Sequence, residues 1–146
     1  MCRRTTVLGL GFGLLAAALS GCGDGLQYAE VEGTVTQGGK PLEKIQVEFH
    51  PDGTGPKSVG VTDAAGKYVL KSEGNGRDGA VVGSHRVVLR DMSIFPDKKL
   101  TREDLNKDLT GGKKSRIGAL YGDSGKTPVK KSVAAGDKNT IDIEVK

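Results

Sequence analysis

Two histidines, three tyrosines and two cysteines are the residues of this 146-residue chain best suited to nucleophilic, acid–base or metal chemistry. A metal held by imidazole needs two or three convergent ligands. His50 and His85 lie 35 residues apart with no H-x-H spacing. His50 ends a strand-like run before Pro51, and His85 falls on the inward face of another. Their expected roles are a strand-end polar residue and a ring packed in the core. No G-x-S-x-G, H-E-x-x-H or phosphate-binding loop occurs. Asp52-Gly53 and the run Asp63 to Gly66 lack the alternating oxygen ligands and terminal Glu of a calcium loop. Asp and Gly are also what tight turns require. Glu103-Asp104 sit where acids complement a helix start. No catalytic residue, cofactor or metal site is predicted, and the chain does not read as an enzyme.

The cysteines point to a different chemistry. Arg3-Arg4 precede an uncharged apolar run of 13 residues, Val7 to Leu19. That run is shorter than the ~20 residues a spanning helix needs, and it suits the core of a secretory signal. Leu19-Ser20-Gly21-Cys22 then matches the bacterial lipobox. The small residues let an extended backbone enter a signal peptidase, and the Cys22 thiol takes a diacylglycerol before cleavage between Gly21 and Cys22. A twin-arginine signal fits less well, because Thr5-Thr6 separate the arginines from the apolar run. Residues 1–21 thus read as a lipoprotein signal peptide and 22–28 as a lipidated tether. Cys2 leaves with the signal and Cys22 becomes a thioether, so no thiol remains for disulfides, metal ligation or nucleophilic attack. Acyl chains at ~0.8 kcal/mol per methylene make the membrane attachment lasting. Gly23, where an Asp would favour the inner membrane in enteric bacteria, favours the outer one.

Without the signal the chain carries 20 basic and 18 acidic residues, a net +2, with no clustered basic face of a nucleic-acid binder. Twenty-three glycines and few aromatics fit a turn-rich β domain. Residues 29–146 are enough for one domain with its own core.

Period-two alternation predicts the strands. Val31, Gly33 and Val35 alternate with Glu32, Thr34 and Thr36, and Gln37-Gly38-Gly39-Lys40 signals a tight turn. Ile45, Val47 and Phe49 then point inward. A third strand holds Val59 and Val61, and a fourth runs from Lys67 to Lys71 with Tyr68 and Leu70 on one face. A fifth carries His85, Val87 and Leu89 on one face. Two more, around Val129 to Val133 and Ile141 to Val145, finish the chain. Seven short strands with turns between them predict an all-β antiparallel sandwich. Residues 91–125 break the rhythm as a long insertion. Thr101-Arg102-Glu103-Asp104 resembles a capping box, with Leu100 and Leu105 placed as a staple, and predicts a short helix over Arg102 to Leu109.

Val31-Glu32-Gly33-Thr34-Val35-Thr36, Gly39-Lys40-Pro41-Leu42 and Thr62-Asp63-Ala64-Ala65-Gly66-Lys67-Tyr68 together resemble the carboxypeptidase-regulatory-like (transthyretin-like) domain. The likeness runs over residues 29–90 and continues in Gly83-Ser84-His85-Arg86-Val87, where His85 replaces the family's tyrosine. It implies a prealbumin-like sandwich of about seven strands and no reaction. Two enzyme families on similar folds leave no matching trace. The chain ends Asp142-Ile143-Glu144-Val145-Lys146, unlike the Tyr-Arg-Gly-Ser of hydroxyisourate hydrolase, and its Tyr and His lack the iron-ligand spacing of intradiol dioxygenases. The expected function is a membrane-anchored, non-catalytic binding or structural module of the cell envelope. Its partners would be the membrane, through the lipid on Cys22, and an envelope protein or glycan. The alternative is a carbohydrate- or small-molecule-binding accessory domain, which would expose rings such as Phe95 and Tyr121 in a row. The basic insertion, with Lys113, Lys114 and Arg116, is the expected carrier of specificity.

Overall fold

The longest strand, β1 (Tyr28–Gln37), is the axis of one of two facing sheets. A computed structural model describes residues 25–97, 103–104 and 107–146. Residues 1–21, where a signal peptide is expected, and Cys22 lie outside these residues. β1 pairs antiparallel with β2 (Lys40–Pro41), β5 (Lys67–Val69) and β7 (Ala80–Val81). It pairs in parallel with β10 (Lys138–Thr140) and β11 (Ile143–Val145). The second sheet is antiparallel throughout, in the order β6 (Lys71–Ser72), β4 (Ser58–Val61), β3 (Ile45–Pro51), β8 (Gly83–Asp91), β9 (Lys130–Val133). The fold is an all-β sandwich, and the parallel return of the C-terminal strands beside β1 is its one departure from antiparallel pairing.

The core lies between the inward faces that alternation predicts. Val31 and Val35 of β1 and Tyr68 of β5 oppose Ile45, Val47 and Phe49 of β3 and Val87 and Leu89 of β8, all at most 2% exposed. Strands that seem continuous in sequence are divided between the sheets. Residues Lys67 to Lys71 form β5 in the first sheet and β6 in the second, with buried Leu70 at the crossing. The Leu70 amide donates to Val31 O while its carbonyl accepts from Gly79 N, so the crossing leaves no backbone group unpaired at that residue. The turns 62–66 and 134–137 likewise carry the chain from one sheet to the other rather than closing hairpins.

Side chains set the geometry of the first of these turns. Thr62 Oγ1 donates to Leu42 O at 2.6 Å and accepts from Ile45 N at 2.9 Å, inside the core. Asp63 Oδ1 accepts from the amides of Ala65 and Lys67, an Asx-type turn. Gly66 takes φ +73°, and a Cβ there would stand 2.8 Å from Val35 O. Tyr68 then carries its hydroxyl across the core to Ile141 O at 2.6 Å.

The helix expected over Arg102–Leu109 is a correction. Of that range Glu103 and Asp104 lie in a 3-10 turn, and Lys107 N donates to Asp104 O, an i→i+3 bond. Thr101, Leu100 and Leu105, the cap and staple residues, lie outside the described residues. Eight residues are too few to sustain an α-helix alone. Asp108 turns the chain locally as well, accepting from Thr110 N and Oγ1. Other 3-10 turns of the insertion lie at Met92–Ile94 and Ala119–Gly122. It leaves β8 at Asp91, the end opposite Tyr28, where the chain enters the sandwich.

Candidate functional site

The outward face of the second sheet holds a constellation that sequence periodicity does not single out. Glu48 of β3 points away from the core, yet its side chain is only 5% exposed. Four neighbours cover it. His50 Nε2 stands 2.9 Å and Lys57 Nζ 3.3 Å from Oε2, while Arg90 Nε and Gln46 Nε2 each donate to Oε1 at 3.1 Å. Strand register explains the gathering. Gln46, Glu48 and His50 alternate along one face of β3, with Arg90, Val88 and Arg86 opposite them on β8. The long cationic stems lie over the sheet while their heads reach the carboxylate. Burial opposes the charge of Glu48, but donation from His50, Arg90 and Lys57 outweighs it and holds the carboxyl below its ordinary value. Beside this group Arg86 Nε donates to Asp52 Oδ1 at 3.0 Å.

A His–carboxylate pair can orient an imidazole for proton transfer, but that chemistry also needs a substrate oxygen or nucleophile within reach. Here the Glu48 oxygens are occupied by the strand's own neighbours. The arrangement is a cross-strand lock tying β3, β4 and β8. Protonating Glu48 would leave Lys57 and Arg90 without their shared counter-ion. Its folded value lies below the ordinary 4.5, so the unfolded chain binds the proton first as pH falls. Stability is therefore full above about pH 4.5 and declines as pH drops through the folded value. Glu48→Gln should flatten this acid limb in denaturant melts taken from pH 6 to 3. An acid limb as steep as that of the native chain would show that Glu48 carries none of it.

The insertion is fastened by a second lock. The Asp91 side chain is fully buried, and Arg116 makes a fork to it, Nε to Oδ2 at 2.9 Å and Nη2 to Oδ1 at 2.8 Å. The Arg116 amide also donates to Oδ2, Ser93 N and Oγ donate to Oδ1, and Nη2 reaches Glu43 O at 2.7 Å. Burial again opposes the Asp91 charge, and the donors from Arg116 and Ser93 overcome it, holding the carboxyl far below its usual range. Arg116 is thus spent on the fold, whereas Lys113 and Lys114 are exposed. Ile117 and Tyr121 join the core cluster, and Tyr121 Oη accepts from Lys146 N at 3.1 Å. The two aromatic residues of the insertion therefore part company: Tyr121 is buried and Phe95 is exposed beside a 310 Å³ hollow with Ile94, Ile117 and Ala119. Among the described residues the aromatic rings form no exposed row, since Phe49 and Tyr68 are core and Tyr28 lies under the Arg77 guanidinium.

The outward face of the first sheet carries a groove of about 260 Å³, lined among others by Glu32, Thr34, Lys67, Val69, Thr140 and Asp142. A neighbouring hollow of about 160 Å³ shares Glu32 and Val69 and adds Glu30, Asp78 and Lys138. Register builds it: Glu32 has Val69 of β5 on one side and Thr140 of β10 on the other. Lys138 pairs with Glu32 at 2.9 Å, and Asp142 Oδ1 accepts from Thr34 N and Oγ1. No protein-family model matches the chain, and comparison with curated proteins and with solved structures finds no match.

Of the two histidines, expected as a strand-end polar residue and a core ring, the structure brings His50 to Glu48 and His85 into the core against Phe49, with ring centroids 5.6 Å apart. It does not bring the two imidazoles together as ligands. Among the described residues no group of three or more His, Cys, Asp or Glu is placed to hold a metal ion, and no helix is long and apolar enough to cross a membrane. Glu48 escaped the sequence reading because it alternates with Val47 and Phe49, as ordinary strand carboxylates do, and Asp91 because it stands where the strand pattern ends and the insertion begins. For Glu48 the signal is Arg90 on the paired strand β8, and for Asp91 it is Arg116 in the insertion, neither of which stands beside its carboxylate until the chain folds.

Proposed function

We propose that this chain is a lipid-anchored, non-catalytic β-sandwich module of a bacterial cell envelope, held by Cys22 and favouring the outer membrane. The observation that carries the reading is Leu19-Ser20-Gly21-Cys22, placed six residues before β1 begins at Tyr28. The resemblance of residues 29–90 to carboxypeptidase-regulatory-like domains supports a binding or structural role. So does the use of Glu48, Asp91, Arg90 and Arg116 as locks between strands.

Geometry bears on what such a module presents. A tether of six residues spans at most ~20 Å. The insertion starts at the far end of β8, a nine-residue strand about 30 Å long. On this reading the insertion faces away from the membrane that holds Cys22, toward an envelope partner. A second reading, a small-molecule- or carbohydrate-binding accessory domain, is favoured by the groove over Glu32 and Asp142. Absence of an exposed ring row among the described residues weighs against a stacked glycan.

Cys22→Ser should abolish membrane attachment, leaving precursor or soluble protein. Fractionation with radiolabelled palmitate decides it. Retention of label and of the membrane fraction in the variant would overturn the anchor.

A further inference from the structure

Three buried side-chain atoms in the described structure have no hydrogen-bond partner: Ser58 Oγ, Ser72 Oγ and His85 Nε2. All belong to the inward face of the second sheet at the end where the chain enters. Ser58 and Ser72 sit directly opposite each other on β4 and β6, and Ser58 is opposite Phe49 on β3. His85 lies one pair further toward the entry end, opposite Pro51 on β3 and Lys131 on β9, with its ring against Phe49. Buried polar atoms are nearly always satisfied, so this end is the least satisfied part of the interior.

The bonding of His85 fixes its resting state. Nδ1 lies 3.0 Å from Gly83 O, and a carbonyl only accepts, so Nδ1 carries the proton. Nε2 is then a bare lone pair in the core, and the ring is 1% exposed. Protonation would create an N–H with no acceptor and a positive charge with little water around it. The charged groups facing it are few. Lys131 stands opposite it on β9, His50 opposes the charge from beyond Pro51, and Asp52 favours it without a direct bond. Burial is the largest influence and holds the ring below its usual value near 6.5.

We propose that His85 is a pH-responsive latch, whose protonation releases the edge strand β9 from β8 at the tether end of the sandwich. β9 is the element that yields because it is four residues long and, among the described strands, pairs only with β8. By contrast β3, the other neighbour of β8, is held across its length and by the Glu48 lock. Opening lets the imidazolium reach water and exposes the β8 edge, whose free N–H and C=O groups are a template for another strand.

The folded value is depressed, so the closed state is fully favoured above about pH 6.5 and loses ground as pH falls below it. One proton linked to opening raises the open population by at most about tenfold per pH unit across that window. This lies above the range below pH 4.5 in which Glu48 fails, so the two events separate.

The test is hydrogen exchange of the full chain in detergent micelles at pH 8, 6.5 and 5, corrected for intrinsic exchange rates. Protection of the β9 amides and their β8 partners should fall several-fold between pH 6.5 and 5, while the β3–β4 pair holds. His85→Phe should abolish the fall, and His50→Gln should leave it. Flat β9 protection in the native chain, or an unchanged fall in His85→Phe, would overturn the latch. Should His85→Phe fail to fold, NMR of the native His85 ring replaces it. Ring protonation in step with β9 opening supports the proposal, and protonation with β9 still closed refutes it.

Discussion

Gly33→Ala should destabilise the domain by about 3 kcal/mol or more in denaturant melts, a large loss for one methyl group. A Cβ at residue 33 would stand 1.8 Å from Ile141 O and 3.1 Å from Tyr68 Cε1. Neither neighbour is free to move. Between β10 and β11 the Ile141 carbonyl turns inward, where it accepts from Tyr68 Oη at 2.6 Å. The ladder along β1 is completed by a side chain, with Thr34 N donating to Asp142 Oδ1 at 2.8 Å. Relieving the clash means pushing the C-terminal strands off β1 or breaking the buried tyrosine bond. Tyr68→Phe should cost less, about 1–3 kcal/mol, because it leaves one carbonyl unsatisfied without steric conflict. Gly53→Ala, with open space around it and no positive φ, should be nearly silent. Equal midpoints for the Gly33 and Gly53 variants would show that the C-terminal strands do not close over β1 in this way.

Arg116→Ala should cost about 3 kcal/mol, although residue 116 lies in what sequence alone marks as a basic loop. The reason is what the substitution leaves behind. The Asp91 carboxylate has no exposure and would lose two of its five hydrogen bonds, those from Nε and Nη2, keeping the residue-116 amide and both Ser93 donors. A buried charge stripped of its counter-ion is worth roughly 3–5 kcal/mol of destabilisation, reduced here because the Arg116 side chain is about a third exposed. Arg116→Lys should recover only part, since one ammonium cannot make the two-pronged contact. The paired change Asp91→Leu with Arg116→Met should be milder than Arg116→Ala alone, because no charge is stranded. Replacing residues 97–118 by a linker should therefore damage the domain, removing Arg116 and core residue Ile117. A neutral Arg116→Ala would mean the insertion is not fastened at Asp91.

Much of the sandwich is legible in the residues themselves. Alternation in Val31 to Thr36, Ile45 to His50 and His85 to Arg90 is a local consequence of a strand with one buried face, so it names inward residues without knowledge of neighbours. The turn at Asp63 to Gly66 is equally local, because an Asx turn and a positive-φ glycine are made by adjacent residues. The helix failed because capping signals are necessary to a helix but cannot sustain one of two turns. Sheet membership was beyond local reading: Tyr68 and Ser72 carry the same alternation, yet the chain changes sheets between them at Leu70. So was the worth of Glu48, Asp91 and His85. A carboxylate on a strand becomes a lock, and an imidazole an unsatisfied core group, only through what the neighbouring strands place beside it. Arg90 meets Glu48 from 42 residues away and Arg116 meets Asp91 from 25. Those distances along the chain are closed by the burial of apolar faces, which chooses the pairing without regard to the polar residues it brings together.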